Sequence, residues 1–376
     1  MTTGSNKADH YGSVIFRALI DYDTKEEKVE QKSLIIKTTP FVEGNQKEFL
    51  EGMNLFDTEI KMYNEVIPKF EKILSDEREH RRIGAKCLYA STNPHYALIF
   101  EDLGKQNYKT ASNWGGSWEI GKIAVEKLAM WHAMSFKLVN EGDQDLQSFS
   151  KNVYSEDKLY ESPMFKHGFP NFVEMLKKQS DLEIYVSKFE KLLSEDPKSK
   201  VKALYNFNIN DNKANWVVLN HGDFHIKNLM FLEKVGGKVE DVLLVDYQLS
   251  IWGPAVIDLT YLVYTILDDE SRITRRNEII HHYFETFTET LQKIKFNGDF
   301  PKLTDLYKDF ITYKDLEIFI FTTILPFITT FKANPVGDLE EIMQGNDFVK
   351  TFYENECFLE YSRKILPTLL HSGYLD

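Results

Sequence analysis

A polar segment at residues 220–231, N-H-G-D-F-H-I-K-N-L-M-F, constrains this chain more than any other feature of its sequence. Asp223 is followed five residues later by Asn228, and apolar residues flank both. A second segment, L-L-V-D-Y-Q at residues 243–248, ends an apolar run with Asp246. The pattern places Asp223 and Asn228 on one loop and Asp246 at the end of an apolar strand.

Three short apolar runs of strand length surround these polar residues, at 217–220, 228–231 and 242–246. The V-G-G-K sequence at residues 235–238 is a turn signal between the last two runs. The pattern predicts a small hairpin beside the polar loop.

The spacing of these side chains indicates phosphoryl transfer from ATP. A carboxylate and an amide five residues apart allow one loop to orient a nucleophilic hydroxyl and to hold a metal ion. We expect Asp223 to accept the hydrogen bond, and then the proton, of the acceptor hydroxyl. Asn228 and Asp246 offer the hard oxygen ligands that suit Mg²⁺ on the ATP phosphates.

Two other interpretations of the loop remain open from the residues alone. The first takes Asp223 and Asn228 as turn-capping residues without a chemical role, as Asp and Asn often are. Alternatively, His221, Asp223 and His225 are residue types that bind zinc or iron. Magnesium binding is favoured because it also explains Asn228 and Asp246.

The first hundred residues predict a small sheet with one helix. Strand patterns cover residues 13–22 and 33–38, which read as a hairpin, and residues 86–91 and 96–101. Between them, residues 46–70 carry apolar positions at helical spacing, and Pro68 marks the expected end of that helix.

After Gly104 the sequence turns to long helical patterns. They cover residues 118–141, 170–193, 273–294, 313–331 and 348–370. We therefore expect an α+β, two-lobed protein-kinase-like fold, with a small β-rich lobe at 1–103 and a larger, mainly helical lobe at 104–376.

Charge and cysteine content limit the environment of the protein. The formal net charge is −13 without a basic cluster, which argues against nucleic-acid binding. Residues 316–331 form the longest apolar stretch, which is too short and too interrupted to span a membrane. Cys87 and Cys357 are the two cysteines, and residues 1–10 lack an apolar signal core, so we expect a cytoplasmic protein.

The motifs resemble the ecdysteroid kinase-like family of insect proteins, also described as CHK kinase-like, within the protein-kinase-like superfamily. The likeness runs from about Tyr11 to the C-terminus and is most specific in HGDFHIKN and in VDYQLSIWGPAVIDLTYL, residues 245–262. The resemblance implies that Asp223 is the catalytic base and that Asn228 and Asp246 bind magnesium. It also implies that Asp258 holds the catalytic loop from the following helix.

The same resemblance implies an ATP site in the first lobe. Lys37 would contact the α- and β-phosphates with Glu59 as its ion-pair partner, and the backbone from Glu101 to Leu103 would bind the adenine edge. Ser13 would donate to a phosphate from the loop Tyr11-Gly12-Ser13. The chain reaches this loop sooner than family members usually do, so we expect a shortened phosphate loop.

The expected activity is phosphorylation of a small-molecule hydroxyl, with an ecdysteroid or another hydroxylated apolar compound as the acceptor that the resemblance favours. Choline or ethanolamine is the alternative substrate class, and it would favour an aromatic cage. A catalytically silent kinase fold that binds a ligand is the alternative outside the enzymes. His132, on an apolar helix face, is expected to be a core residue.

Overall fold

The computed structural model describes residues 2–3, 13–25, 29–39, 55–79, 81–207, 214–234, 236–333 and 345–376. The protein has an α+β fold, with an antiparallel sheet near the N-terminus and a larger, mainly helical part after it. The strands are β1 Thr2–Thr3, β2 Val14–Asp23, β3 Val29–Thr38, β4 Cys87–Ser91, β5 Ala97–Glu101, β6 Tyr108–Thr110, β7 Val217–Asn220, β8 Leu229–Glu233, β9 Val239–Leu244 and β10 Ile251–Pro254.

The α-helices are α1 Leu55–Lys61, α2 Ile67–Asp76, α3 Trp118–Asn140, α4 Asp157–Tyr160, α5 Pro163–Lys177, α6 Glu183–Ser194, α7 Pro197–Tyr205, α8 Val256–Tyr261, α9 Asp269–Thr274, α10 Arg276–Lys293, α11 Leu303–Thr312, α12 Lys314–Phe319, α13 Leu325–Ala333, α14 Asn346–Thr351 and α15 Glu356–His371. Three π-helical turns join α1 to α2, follow α8, and join α12 to α13, at Met62–Val66, Leu262–Ile266 and Ile320–Ile324. Within the described ranges, no helix is long and apolar enough to cross a membrane.

The N-terminal sheet has the strand order β1-β2-β3-β5-β4. The predicted hairpin is confirmed, and β3 begins at Val29, earlier than its apolar run suggested. The added residues are exposed, and polar pairs across the two strands hold them, such as Gln31 Nε2 donating to Asp21 Oδ1 at 3.0 Å. Cross-strand polar pairs therefore extend the hairpin beyond its buried half.

The helix after the hairpin continues through Pro68, so the prediction that it ends there is wrong. The π-helical turn Met62–Val66 precedes the proline, and Pro68 lies in the first turn of α2. A proline is tolerated in a first turn because its missing N–H would have no intrahelical partner there. Predicted residues 46–54 of this helix lie outside the described residues.

Helix α3 is the centre of the larger part and packs along α10. It begins where Ser117 Oγ accepts a hydrogen bond from the Ile120 N–H at 3.4 Å, and a nearly continuous run of its residues is buried. Its boundaries agree with the predicted residues 118–141. Two other predicted helices are each two helices, because residues 178–182 and 352–355 form turns.

Two small sheets frame the polar loop. Strands β8 and β9 form the predicted hairpin, with β6 as an unpredicted third strand. Strand β7 instead pairs antiparallel with β10, which returns along it after the second polar segment. The loop at residues 221–228 therefore leaves one sheet and enters the other. The lobe boundary after residue 103 stays a prediction.

Candidate functional site

The polar loop is fixed by a close approach of two backbones at Gly222. Its φ is +80°, and a Cβ atom added there would lie 1.9 Å from the Leu249 carbonyl oxygen. Asp258, from α8, accepts hydrogen bonds from the His221 N–H at 2.6 Å and the Gly222 N–H at 2.9 Å. Only glycine fits this conformation and this spacing. Asp258 thus holds the loop in the position that the resemblance implied.

Asp258 is itself held by a buried histidine. His132 Nε2 lies 3.1 Å from Asp258 Oδ2, and its Nδ1 lies 2.8 Å from the Tyr283 hydroxyl. Burial lowers the pKa of His132, although Asp258 acts in the opposite direction. The prediction that His132 is a core residue is confirmed, and its imidazole supports the loop from behind.

Asp223 is held in the loop by two neighbours. Asn228 Nδ2 donates to Asp223 Oδ2 and to the Asp223 carbonyl oxygen, both at 3.0 Å. His225 Nε2 lies 3.3 Å from the same Oδ2. Burial would raise the pKa of Asp223, but His225, His221 and Asn228 outweigh burial and lower it. The carboxylate is therefore ionised and oriented near neutral pH, as a hydrogen-bond acceptor for a hydroxyl must be.

Asp246 follows β9 in the left-handed backbone region, with φ and ψ both 68°. A non-glycine residue in this region is uncommon and is held there by its surroundings. Lys37 Nζ donates to Asp246 Oδ1 at 2.8 Å and to Glu59 Oε2 at 2.6 Å. The structure thus brings together a lysine from β3, a glutamate from α1 and an aspartate about 200 residues away.

One ammonium group serves two carboxylates in this cluster. Burial would lower the pKa of Lys37, but Asp246 and Glu59 outweigh it and raise the pKa. Burial raises the pKa of Glu59 to about 7, and Asp246 adds to that rise while Lys37 opposes it. When Glu59 is ionised, the cluster has an excess of negative charge, which favours a cation beside Asp246.

These groups line a cavity of about 580 Å³ between the N-terminal sheet and the β6-β8-β9 sheet. Its lining includes six of the eight predicted site residues: Lys37, Glu59, Glu101, Leu103, Asn228 and Asp246. The other two, Ser13 and Asp223, are not among the described lining residues. Ser13 is buried beside the start of β2, and Asp223 is hydrogen-bonded to Asn228, which lines the cavity.

At the other end of the cavity, two acidic residues fix the segment after β5. Glu101 accepts hydrogen bonds from Arg82, from the Lys86 N–H at 2.7 Å and from Gln106 Nε2 at 2.7 Å. These contacts outweigh burial and lower its pKa. The Glu101 side chain thus holds the segment, which leaves the predicted adenine contacts to the backbone.

Asp102 lies in the segment whose backbone was predicted to bind adenine, but no role was predicted for its side chain. It accepts from Arg17 Nε at 2.8 Å, Ser33 Oγ at 2.6 Å and the Gly104 N–H at 3.0 Å. Arg17 and Asp102 both line the cavity. Arg17 lies in an alternating strand and Asp102 in the E-D-L-G segment at residues 101–104, and neither sequence pattern predicts that these distant residues are in contact.

The aromatic residue after Asp246 is fixed on three sides. Tyr247 stacks on Trp131 with ring centroids 5.1 Å apart and an interplanar angle of 3°, and it meets Tyr63 edge to face. Its hydroxyl donates to the Leu244 carbonyl oxygen at 3.0 Å. Gly84 approaches so closely that an added Cβ would lie 2.4 Å from that hydroxyl.

The transition-metal interpretation fails on geometry. Among the described residues, no group of three or more His, Cys, Asp and Glu side chains is arranged to hold a metal ion. His221 Nε2 lies 3.1 Å from the Val245 carbonyl oxygen, and His225 contacts Asp223. The turn-capping interpretation is incomplete, because Asn228 also lines the cavity.

The class of this protein follows from its antiparallel sheet, its mainly helical second part, and the lysine, asparagine and aspartate on the cavity beside them. It is a kinase-like phosphotransferase of small molecules. The chain belongs to the ecdysteroid kinase-like family, whose model matches residues 7–296.

Two solved structures are similar to the chain at low identity. The amicoumacin kinase hAmiN in complex with AMP-PNP, Ca²⁺ and Ami is 13% identical, with 94% of this chain and 87% of that chain covered and a TM-score of 0.38. The macrolide 2′-phosphotransferase MphH from Brachybacterium faecium, an apoenzyme, is 8% identical, with 86% and 93% covered and a TM-score of 0.34. Comparison with curated proteins gives no match.

Proposed function

We propose that this protein uses ATP and Mg²⁺ to phosphorylate a hydroxyl group of a small molecule, with an ecdysteroid or another hydroxylated apolar compound as acceptor. The observation that carries the proposal is the contact of Lys37 with both Glu59 and Asp246 on a cavity that Asn228 also lines. A buried ion pair often adds no net stability, because desolvation of its charges offsets their attraction, so a functional use of the Lys37 charge is the better explanation. Binding of nucleotide phosphates is such a use.

The donor set fits a hard divalent cation. The Asn228 amide nitrogen is bonded to Asp223, which leaves its Oδ1 as the atom that can ligate a metal. Asp246 Oδ1 accepts from Lys37, and the side chain is 17% exposed on the cavity. Oxygen ligands of this kind suit Mg²⁺. When bound, the ion would neutralise charge that develops on the transferred phosphoryl group.

The remaining residues divide between the two reactants. Lys37, placed by Glu59, would hold the ATP phosphates, the backbone of Glu101 and Leu103 would bind adenine, and Ser13 would donate to a phosphate. Asp223 would accept the proton of the acceptor hydroxyl.

Cys87 and Cys357 are free thiols, which supports a reducing, cytoplasmic location.

Transfer from radiolabelled ATP to a panel of hydroxylated metabolites, with ecdysteroids and choline included, tests this function. Asp223→Asn should reduce transfer by at least about 100-fold, because the base is lost while the carboxamide keeps the shape. Asp347→Asn changes a fully exposed side chain and is the matched control. An undiminished rate in Asp223→Asn would remove that residue as the base.

The silent-fold alternative is tested by nucleotide binding. At a hundredfold excess over Kd, Mg-ATP should stabilise the protein by about 2.7 kcal/mol. A thermal shift that needs both ATP and Mg²⁺, and that Lys37→Met abolishes, supports the kinase. The absence of any shift at millimolar nucleotide would favour the silent fold.

A further inference from the structure

The geometry of phosphoryl transfer separates the two reactants around the catalytic loop. An in-line displacement places the acceptor hydroxyl on the opposite side of the phosphoryl group from the departing ADP oxygen. Lys227, Asn228 and Asp246 line the cavity, and its described lining does not include Asp223 or His225. As the proposed base, Asp223 has to contact the acceptor hydroxyl, so the acceptor binds beside Asp223 and His225.

Trp114 is a partly exposed aromatic residue close to Asp223 and His225. Its ring meets the His225 imidazole edge to face, with centroids 5.3 Å apart and an interplanar angle of 64°. His225 Nε2 in turn lies 3.3 Å from Asp223 Oδ2. Trp114 is thus separated from the proposed base by a single side chain.

Trp114 also differs from the other tryptophans in its exposure. The chain contains five tryptophans, and Trp118, Trp131, Trp216 and Trp252 are buried, whereas Trp114 is half-buried. A partly exposed indole beside a catalytic carboxylate offers a large apolar surface with a polar edge. Such a surface suits the ring system of a small molecule.

The turn that carries Trp114 is fixed before any ligand binds. Gly115 has a φ of +78°, and the Gly116 N–H donates to the Ile266 carbonyl oxygen at 2.6 Å. The Asp268 N–H donates back to the Gly116 carbonyl oxygen at 2.9 Å. Because the backbone is already ordered, binding on the indole loses little conformational entropy.

A positive charge beside Trp114 limits the kind of acceptor. Lys227 Nζ lies 5.9 Å from the centroid of the indole and donates to the carbonyl oxygens of Ala111 and Ser112, both at 2.9 Å. A second cation on this ring would be repelled by that ammonium group. A neutral ring-bearing alcohol can lie on the indole without displacing Lys227, which a quaternary ammonium would have to do.

We propose that Trp114 is the specificity-determining surface on which the apolar ring of a neutral alcohol lies, with His225 as the positioning residue that joins it to Asp223. This inference rests on the proposed kinase function. It adds a binding residue for the acceptor to the residues that act on ATP.

Steady-state transfer from Mg-ATP, with ecdysone as the neutral ring alcohol and choline as the cation, tests the role of Trp114. Trp114→Ala should raise the KM for ecdysone about tenfold, which is the loss of one aromatic contact. The KM for ATP should not change, and Trp114→Phe should keep most of the affinity. Tyr89→Ala, which removes an exposed aromatic side chain from β4, is the matched control and should change neither constant.

An unchanged KM for ecdysone in Trp114→Ala, or an equal rise in the KM for ATP, would overturn the assignment. So would choline as the better acceptor. For the positioning role, His225→Gln should lower kcat with little change in the KM for ATP. A His225→Gln enzyme with an unchanged kcat would end that part of the inference.

Acrylamide quenching of tryptophan fluorescence separates this inference from the kinase proposal, because it requires no turnover. Acrylamide should quench the half-buried Trp114 more than the four buried tryptophans, and ecdysone should protect it. Trp114→Phe should remove the protected fraction. If the wild-type protein phosphorylates neither compound, the kinase substrate is wrong, and protection by ecdysone still supports the surface. Absence of protection would refute it.

Discussion

Replacement of Lys37 by methionine tests the charge cluster by itself, without any ligand. The change removes an ammonium that lies 2.6 Å from Glu59 and 2.8 Å from Asp246 and leaves Glu59, which is 1% exposed, without a cation. Loss of one partner from a buried ion pair typically costs about 3–5 kcal/mol. We expect the lower end, about 3 kcal/mol at pH 8, because Asp246 reaches the cavity and can be hydrated.

The pH dependence gives this prediction its sign. Burial raises the folded-state pKa of Glu59 to about 7 even with Lys37 present, and loss of Lys37 raises it further. A carboxyl with a raised folded-state pKa stabilises the protein below its unfolded pKa, and that stability is lost as the pH rises toward the folded-state pKa. The difference in unfolding free energy between the wild type and the Lys37→Met variant should therefore grow between pH 7 and pH 9 and be smallest near pH 5.

Urea unfolding of the Lys37→Met protein at pH 5, 7 and 9 measures both effects. Addition of Glu59→Gln to this variant should remove the extra pH dependence, since the ionisable group is gone. Lys166→Met is the matched control: its ion pair with Glu161 at 2.9 Å is 52% and 70% exposed, and its loss should cost less than about 1 kcal/mol. A cost below about 1 kcal/mol for Lys37→Met at pH 8, or one independent of pH, would refute the reasoning.

Two further changes test the catalytic loop. In urea unfolding, Gly222→Ala should destabilise the protein by at least about 2 kcal/mol more than Gly237→Ala. Both glycines have a φ of +80°, but an added Cβ lies 1.9 Å from a carbonyl oxygen only at Gly222. Equal losses of unfolding free energy would contradict the packing argument. Burial lowers the folded-state pKa of His132, so its contribution to stability is full above about pH 6.5 and is lost as the pH falls below it. His132→Gln should flatten the fall in unfolding free energy between pH 7 and pH 5, and an unchanged slope would assign that fall to other groups.

The polar loop was predictable because its residues are close together in the sequence. Asp223 and Asn228 lie on one loop, and the hairpin that brings Asp246 beside them is itself visible as two apolar runs with a glycine turn. Lys37 and Glu59 were inferred from resemblance, because a lysine that ends a strand has no local feature to mark it as buried. The structure brings both to the cavity, and their roles stay predictions.

The unpredicted features depend on contacts between distant residues. Arg17 and Asp102 are 85 positions apart, and Trp114 meets His225 across 111 positions, so neither pair leaves a spacing pattern. The pairing of β7 with β10 was missed for a similar reason, because each strand alone is consistent with several partners. The break between α14 and α15 depends on the turn at residues 352–355, where apolar periodicity alone suggested one helix.

The contacts of Tyr247 have a consequence for how the protein is controlled. The Tyr247 ring stacks on Trp131, meets Tyr63 edge to face, and donates a hydrogen bond from its hydroxyl to the Leu244 carbonyl oxygen. It cannot rotate outward without loss of all three contacts. Asp246 is the preceding residue, so its placement is completed when the chain folds and requires no later activation step.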